Sequence, residues 1–223
     1  MEFIEYPDRE IAVMSLADIL ASALRRLLAG GDRVSFAVPG GTTPAPVFDA
    51  LCAADLDWSR VTVMLTDERW VPTTSERSNT ALIKQHLLQG HAAAASFAPF
   101  YKEGLTAQKA AETLSEAYKA HFPLSLVLLG MGSDMHTASL FPGAPGVDAA
   151  LSRNASALCA VTPPDQPEPR ITLSARVLNS ALEKHVVIFG QDKRDALENA
   201  RGRTPVNAPI NAVLQGGTVH WAA

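Results

Sequence analysis

One histidine in this chain sits where chemistry is easy to arrange. His136 follows Gly130, Met131, Gly132, Ser133, Asp134 and Met135, just after an apolar run over 124–129, and leads into Thr137, Ala138, Ser139, Leu140, Phe141 and Pro142. A neutral imidazole near pH 7 takes a proton from water, and Asp134, two residues away, is placed to orient it. The Asp134–His136 pair would supply two metal ligands, but no third has a spacing signal. Two further segments share the layout of strand then loop. Gly40, Gly41, Thr42, Thr43 and Pro44 follow an apolar run over 34–38. The glycines let the backbone approach a ligand, the threonines add hydroxyl donors, and a helix opening at Pro44 would present free N–H groups. That chemistry suits a phosphate, although this loop alone also reads as an ordinary capped turn. Asp67, Glu68 and Arg69 follow the run over 61–65 and set an acid beside a cation; a solvated charged turn would have the same composition. Arg170 and Lys193 lie near two other strand ends. A planar guanidinium and a flexible ammonium are natural partners of a phosphate dianion.

Other chemistries lack their residues. No Gly-x-Ser-x-Gly elbow is present, and Ser139 has no glycine frame. The 40–44 loop lacks the Gly-Lys-Ser/Thr ending of a nucleotide-binding loop, and the 130–135 loop lacks the third glycine and the later acidic strand end of a dinucleotide fingerprint. Cys52 and Cys159 are too few and too far apart for a disulfide framework or a zinc site; two reduced, mostly buried thiols are expected. Neither a metal nor a cofactor is expected.

The elements that must hold these groups follow from hydrophobic spacing. Helices are predicted over 15–28, with Ser15 as the cap and Gly30 and Gly31 as the stop, and over 44–54, 78–88, 106–121 and 192–200. Strands are predicted over 34–38, 61–65, 124–129, 171–173, 185–189 and 219–221, the last closing the sheet. The run over 124–129 is apolar throughout, as in a strand buried on both faces. Pro-rich stretches over 142–146 and 162–170 read as loops. Alternating strands and helices imply an α/β fold with a mostly parallel sheet, in one domain over 1–223. In such sheets ligands bind outside the carboxyl ends of strands, so the marked loops should meet at one edge, joined by Gly190, Gln191, Asp192 and Lys193.

The bulk numbers agree with a globular catalyst. The chain has 223 residues, 47% of them hydrophobic and 19% charged, enough for a sizeable core. A net charge of -4 excludes the basic stripe of a nucleic-acid binder. No apolar run approaches the roughly 20 residues of a membrane span, and the first residues do not form a secretory signal. A cytoplasmic protein is expected. The oligomeric state is left open, with a monomer as default.

Together these residues resemble the 6-phosphogluconolactonase family, the bacterial-type branch related to glucosamine-6-phosphate deaminase. The resemblance rests on the 39–44 loop, Thr66 to Arg69, Ser78 and Asn79, the block 130–142, Arg170 to Leu173 and the 190–193 turn. It implies a modified Rossmann-like α/β/α sandwich and hydrolysis of 6-phospho-D-glucono-1,5-lactone to 6-phosphogluconate, without a cofactor. By the same resemblance His136 corresponds to the base. Gly40 to Thr43, Arg170 and Lys193 correspond to the sugar-phosphate site, and Asp67 and Arg69 to polar residues of the pocket. Asn79, Gly130 and Gly132 belong to the matching blocks and are expected against the substrate. Arg69 and backbone N–H groups near Gly130 and Gly132 are the candidate oxyanion donors. The family usually has glycine where this chain has Met135; a methionine forced to positive φ costs about 1–2 kcal/mol, or shifts the backbone and His136 with it. Two alternatives are an amino-sugar phosphate isomerase-deaminase, with Asp67 as base, and a sugar-phosphate binder that has lost catalysis. The deaminases typically carry Ile-Ala-Phe-Asn-Glu-Pro after the histidine, unlike Thr137 to Pro142 here.

Overall fold

The computed structural model describes residues 1–163 and 166–223. Seven strands form a wholly parallel sheet: β1 (Glu2–Glu5), β2 (Val34–Val38), β3 (Val61–Leu65), β5 (Ser96–Ala98), β6 (Leu126–Gly130), β9 (Glu183–Phe189) and β10 (Thr218–Ala222). Their spatial order is β1-β10-β9-β6-β2-β3-β5. A second, antiparallel sheet has the order β4-β8-β7, built from β4 (Asp67–Arg69), β8 (Arg170–Leu173) and β7 (Leu158–Val161). The helices are α1 (Arg9–Gly30), α2 (Ala45–Leu51), α3 (Asn79–His86), α4 (Ala107–Ala117), α5 (Val147–Leu151), α6 (Ala175–Asn179) and α7 (Gln191–Ala200).

The central strands are buried along their length because helices cover both faces. Every residue of β2 and β3 is buried, and Leu126 to Leu129 of β6 are inaccessible to solvent. That accounts for their unbroken apolar sequences. From β2 the chain builds outward through β3 and β5, then returns to place β6 on the other side of β2. The strand order therefore reverses between β2 and β6. Their carboxyl ends, Val38 and Gly130, open the crevice where ligands bind in such sheets.

Several boundaries differ from the sequence reading. Helix α1 begins at Arg9, not Ser15: the Asp8 carboxylate accepts from the Ile11 N–H at 2.8 Å and caps it. Ser15 lies inside the helix, so its type marked a cap that an earlier aspartate supplies. The predicted 106–121 helix ends at Ala117 and continues as a 3-10 turn, Lys119–His121. Strand 219–221 does not close the sheet; β1, unread in the sequence, pairs outside it. The predicted 171–173 strand belongs to the antiparallel sheet, and the charged turn at 67–69 is its neighbour β4. Strands β5 and β7 and helices α5 and α6, each of five residues or fewer, were too short to show a period. Cys52 and Cys159 are free thiols, each part-exposed and not buried as expected. Of the predicted 162–170 loop, residues 164 and 165 lie outside the described residues.

Candidate active site

The loops after β2, β3, β6 and β9 meet in one cleft of about 320 Å³, within the size range of small-molecule sites. Its floor is the switch point. Gly40, Gly41, Thr42 and Thr43 line it from β2, and Gly130 and Gly132 from β6. Asp67, Arg69 and Asn79 form one wall with Arg170; His136 and Lys193 stand on the other sides. The candidate substrate and catalytic residues thus line one cleft, whereas Glu68 and Asp134 lie outside its lining.

Strand β4 explains the wall. Asp67, Arg69, Arg170 and Thr172 alternate onto one face, because Asp67 pairs with Thr172 and Arg69 with Arg170. Asp67 is buried and fixed by two hydroxyls: Thr66 Oγ1 donates to its Oδ1 at 3.0 Å, and Ser139 Oγ to its Oδ2 at 2.6 Å. Two arginines directly opposite each other repel. Arg170 is 3% exposed, and burial lowers its pKa from the ordinary arginine value, with Asp67 opposing that shift and Arg69 adding to it. Arg170 Nη2 donates to Gln166 Oε1, and Arg69 Nη1 to the Arg77 carbonyl at 3.1 Å. The buried Nε atoms of both arginines have no partner among the described residues. Two like charges held together with unspent donors form a site for an anion.

Glu68 faces the other way and does no chemistry in the cleft. It is fully buried, and its carboxylate accepts from the N–H groups of Arg69, Asn79 and Thr80 and the hydroxyls of Ser78 and Thr80, at 2.7–3.2 Å. Burial raises its pKa, and these donors, Thr80 foremost, pull it down. Glu68 thereby closes the N-terminus of α3, which carries Asn79. Asn79 Nδ2 donates to the Asp67 carbonyl at 2.8 Å. A Cβ on Gly40 would lie 1.9 Å from Asn79 Oδ1, so only glycine fits beneath it. No sequence signal separates Glu68 from its neighbours; only its direction on a strand does.

The β6 loop holds His136 against a carboxylate. His136 Nδ1 lies 2.5 Å from Asp134 Oδ1, and the His136 N–H donates to the same oxygen at 3.2 Å. With Nδ1–H directed at a carboxylate, Nε2 carries the lone pair. Burial raises the Asp134 pKa, but the His136 hydrogen bonds and charge outweigh it and hold the carboxyl below its ordinary value. Phe141 packs its ring against the imidazole at a centroid distance of 4.3 Å. A Cβ on Gly132 would lie 2.2 Å from His136 Nδ1 and 2.4 Å from Asp134 Oδ1. Met135 adopts φ 68 and Ala138 φ 49. The loop keeps its bonds in this strained form: Met135 N–H donates to the Gly132 carbonyl at 2.9 Å, and Ile210 N–H to the Met135 carbonyl at 3.1 Å. Methionine has therefore taken up a glycine-like backbone. Ser139, Phe141 and Gln166 are the contributors the sequence reading did not single out; the first two lie inside its histidine block, and Gln166 has no signal.

Among the described residues, no group of three His, Cys, Asp or Glu side chains is placed to hold a metal. The fold and site define a doubly wound α/β protein whose cleft sets two facing arginines near a carboxylate-paired histidine. Residues 7–221 match the family described as glucosamine-6-phosphate isomerases/6-phosphogluconolactonase, and the chain belongs to it. A 6-phosphogluconolactonase from Pseudomonas aeruginosa is 39% identical over 213 residues, covering 92% of this chain and 88% of that protein. One from Caulobacter vibrioides is 38% identical, covering 94% and 90%. A crystal structure of a 6-phosphogluconolactonase from Shewanella baltica matches with a TM-score of 0.94 at 31% identity, covering 100% of this chain and 98% of that one.

Proposed function

We propose that residues 1–223 act as one lactonase domain that hydrolyses 6-phospho-D-glucono-1,5-lactone to 6-phosphogluconate, a step of the oxidative pentose phosphate pathway. The carrying observation is the His136–Asp134 contact at 2.5 Å beside Arg69 and Arg170, whose buried Nε atoms have no partner among the described residues. The first is a base for water, the second a site for a dianion.

The substrate phosphate is held by the 40–43 loop, Arg170 and Lys193, which fixes the lactone carbonyl relative to His136. His136 Nε2 takes a proton from water, and the water oxygen attacks C1. Charge that develops on the carbonyl oxygen is met by Arg69 or by N–H groups of the 130–132 turn. Collapse of the tetrahedral intermediate breaks the bond from C1 to the ring oxygen. The imidazolium returns its proton to that oxygen, giving the open-chain acid and regenerating the base. One chain supplies every group in this scheme, which supports action as a monomer, and we assign it to the cytoplasm.

The test offers freshly generated lactone and, separately, glucosamine 6-phosphate. Lactone loss well above the no-protein rate, without ammonia release, is expected. Ammonia release without lactone turnover would assign the site to the isomerase-deaminase branch. Binding of 6-phosphogluconate with neither reaction would leave a sugar-phosphate binder.

A further inference from the structure

We infer that Trp221, which lines no part of the cleft, is a positioning residue that sets where Lys193 meets the substrate phosphate. The inference rests on the reading of Lys193 as a phosphate cation. Lys193 is the third residue of α7, and Gly190 is the N-cap of that helix. Gly190 has φ 91 and ψ 155, a backbone region open essentially to glycine alone. Such a turn has no intrinsic preference for one geometry, so its neighbours must define it. Both polar groups of Gly190 are taken by β10. Its N–H donates to the Ala222 carbonyl at 2.8 Å, and its carbonyl accepts from Trp221 Nε1 at 2.9 Å. The same carbonyl also receives the Arg194 N–H at 3.3 Å, the opening bond of the helix.

The indole is itself held in a cluster with Phe3 and Arg194, whose guanidinium also lies 5.6 Å from the Phe3 ring. It is 5% exposed, stacked with Phe3 of β1 at a centroid distance of 6.5 Å. The Arg194 guanidinium lies 4.5 Å from its ring, and Arg194 pairs with Glu5 at 3.2 Å. Arg194 is the residue after Lys193, so the cluster that fixes the indole also fixes the helix turn that carries the ammonium. Lysine is flexible along its stem. Its placement in the cleft is therefore only as good as the placement of its backbone, which here depends on an N–H from the neighbouring strand β10.

The experiment is a double-mutant cycle on steady-state lactone hydrolysis, with Trp221→Phe, Lys193→Ala and the pair. Phenylalanine keeps an aromatic ring against Phe3 and Arg194 but lacks the donor. Replacement of Trp221 by benzothienylalanine, which has sulfur in place of N–H, removes the donor at constant shape and serves if the phenylalanine variant unfolds. Loss of one hydrogen bond is expected to raise KM roughly threefold to tenfold with kcat little changed. Removing the donor in the Lys193→Ala background should add almost nothing, because the group it positions is gone. Equal losses in the two backgrounds, or a fall in kcat alone, would show a general structural role and overturn the inference. An unchanged KM on donor removal would overturn it alone if Lys193→Ala still weakens binding. An unchanged KM in Lys193→Ala would remove the phosphate reading and the inference together.

Discussion

The chemistry of this protein depends on how closely a few side chains approach. Gly132 is the clearest case, since a Cβ there would overlap both His136 Nδ1 and Asp134 Oδ1. Gly132→Ala must push the imidazole aside, and a displacement near 1 Å is expected to lower kcat by on the order of a hundredfold. Full activity in a folded Gly132→Ala protein would contradict the role given to that contact. Met135 tests the opposite case. Its backbone has the left-handed conformation and its N–H and carbonyl are both hydrogen-bonded, so the loop carries the strain while His136 keeps its contact with Asp134. Met135→Gly is therefore expected to change kcat/KM by less than about threefold; a gain of tenfold or more would show that the methionine holds the base out of place. The sequence made His136, the glycines and the departure at Met135 legible, because a catalytic loop needs specific residue types in order. The Asp67–Ser139 bond was not legible, since it joins positions far apart in the chain.

At the level of elements, Glu68, His185 of β9 and His220 of β10 turn polar residues into structure. Glu68→Gln replaces one acceptor oxygen with an NH2 group that faces N–H donors, and an unsatisfied buried group costs about 1–3 kcal/mol. A loss of at least about 2 kcal/mol in urea unfolding is expected, with α3 and Asn79 loosened; an unchanged midpoint would refute this. A second polar chain crosses the far end of the sheet. Tyr6 Oη lies 2.8 Å from His220 Nδ1, His220 Nε2 lies 2.9 Å from His185 Nδ1, and His185 Nε2 lies 3.3 Å from Glu183. Glu183 in turn accepts from Arg26 of α1 at 2.6 Å. One arrangement of neutral tautomers satisfies the chain, with His185 donating to Glu183, His220 to His185 and Tyr6 to His220. An extra proton on His220 requires the Tyr6 hydroxyl to turn from donor to acceptor. Burial, and secondarily His185, pull the His220 pKa down from 6.5 to about 4. Burial lowers that of His185 as well, with Glu183 and Glu2 opposing and Arg26 adding to the shift. Between those values the unfolded chain binds the proton and the folded chain does not. The contribution to stability is full above pH 6.5 and is lost as the pH falls toward 4, by roughly 3 kcal/mol. Unfolding free energies at pH 7 and pH 4.5 should differ less in His220→Gln than in the unmodified protein, and equal differences would contradict this. The long apolar strands were legible from burial on both faces. Strand β4 was not: three charged or acidic residues have little intrinsic tendency to extend, and it is pairing with β8 that makes them a strand.

Across the whole molecule, the strand order turns separate loops into one site. The reversal between β2 and β6 brings residues 40–43 and 130–136 together, and the small antiparallel sheet swings Arg170 over them. The expectation of an α/β sheet with its loops at one edge followed from the alternation of elements. The second sheet did not, because long-range pairing of short polar segments leaves no local pattern. The central claim is that this cleft binds a phosphorylated lactone and that His136 activates the water that opens it. The most direct test measures lactone turnover and 6-phosphogluconate binding together in His136→Ala. Turnover is expected to fall by roughly a hundredfold to ten-thousandfold, with product affinity nearly unchanged, since the phosphate contacts remain. Undiminished turnover in the folded variant would contradict the account.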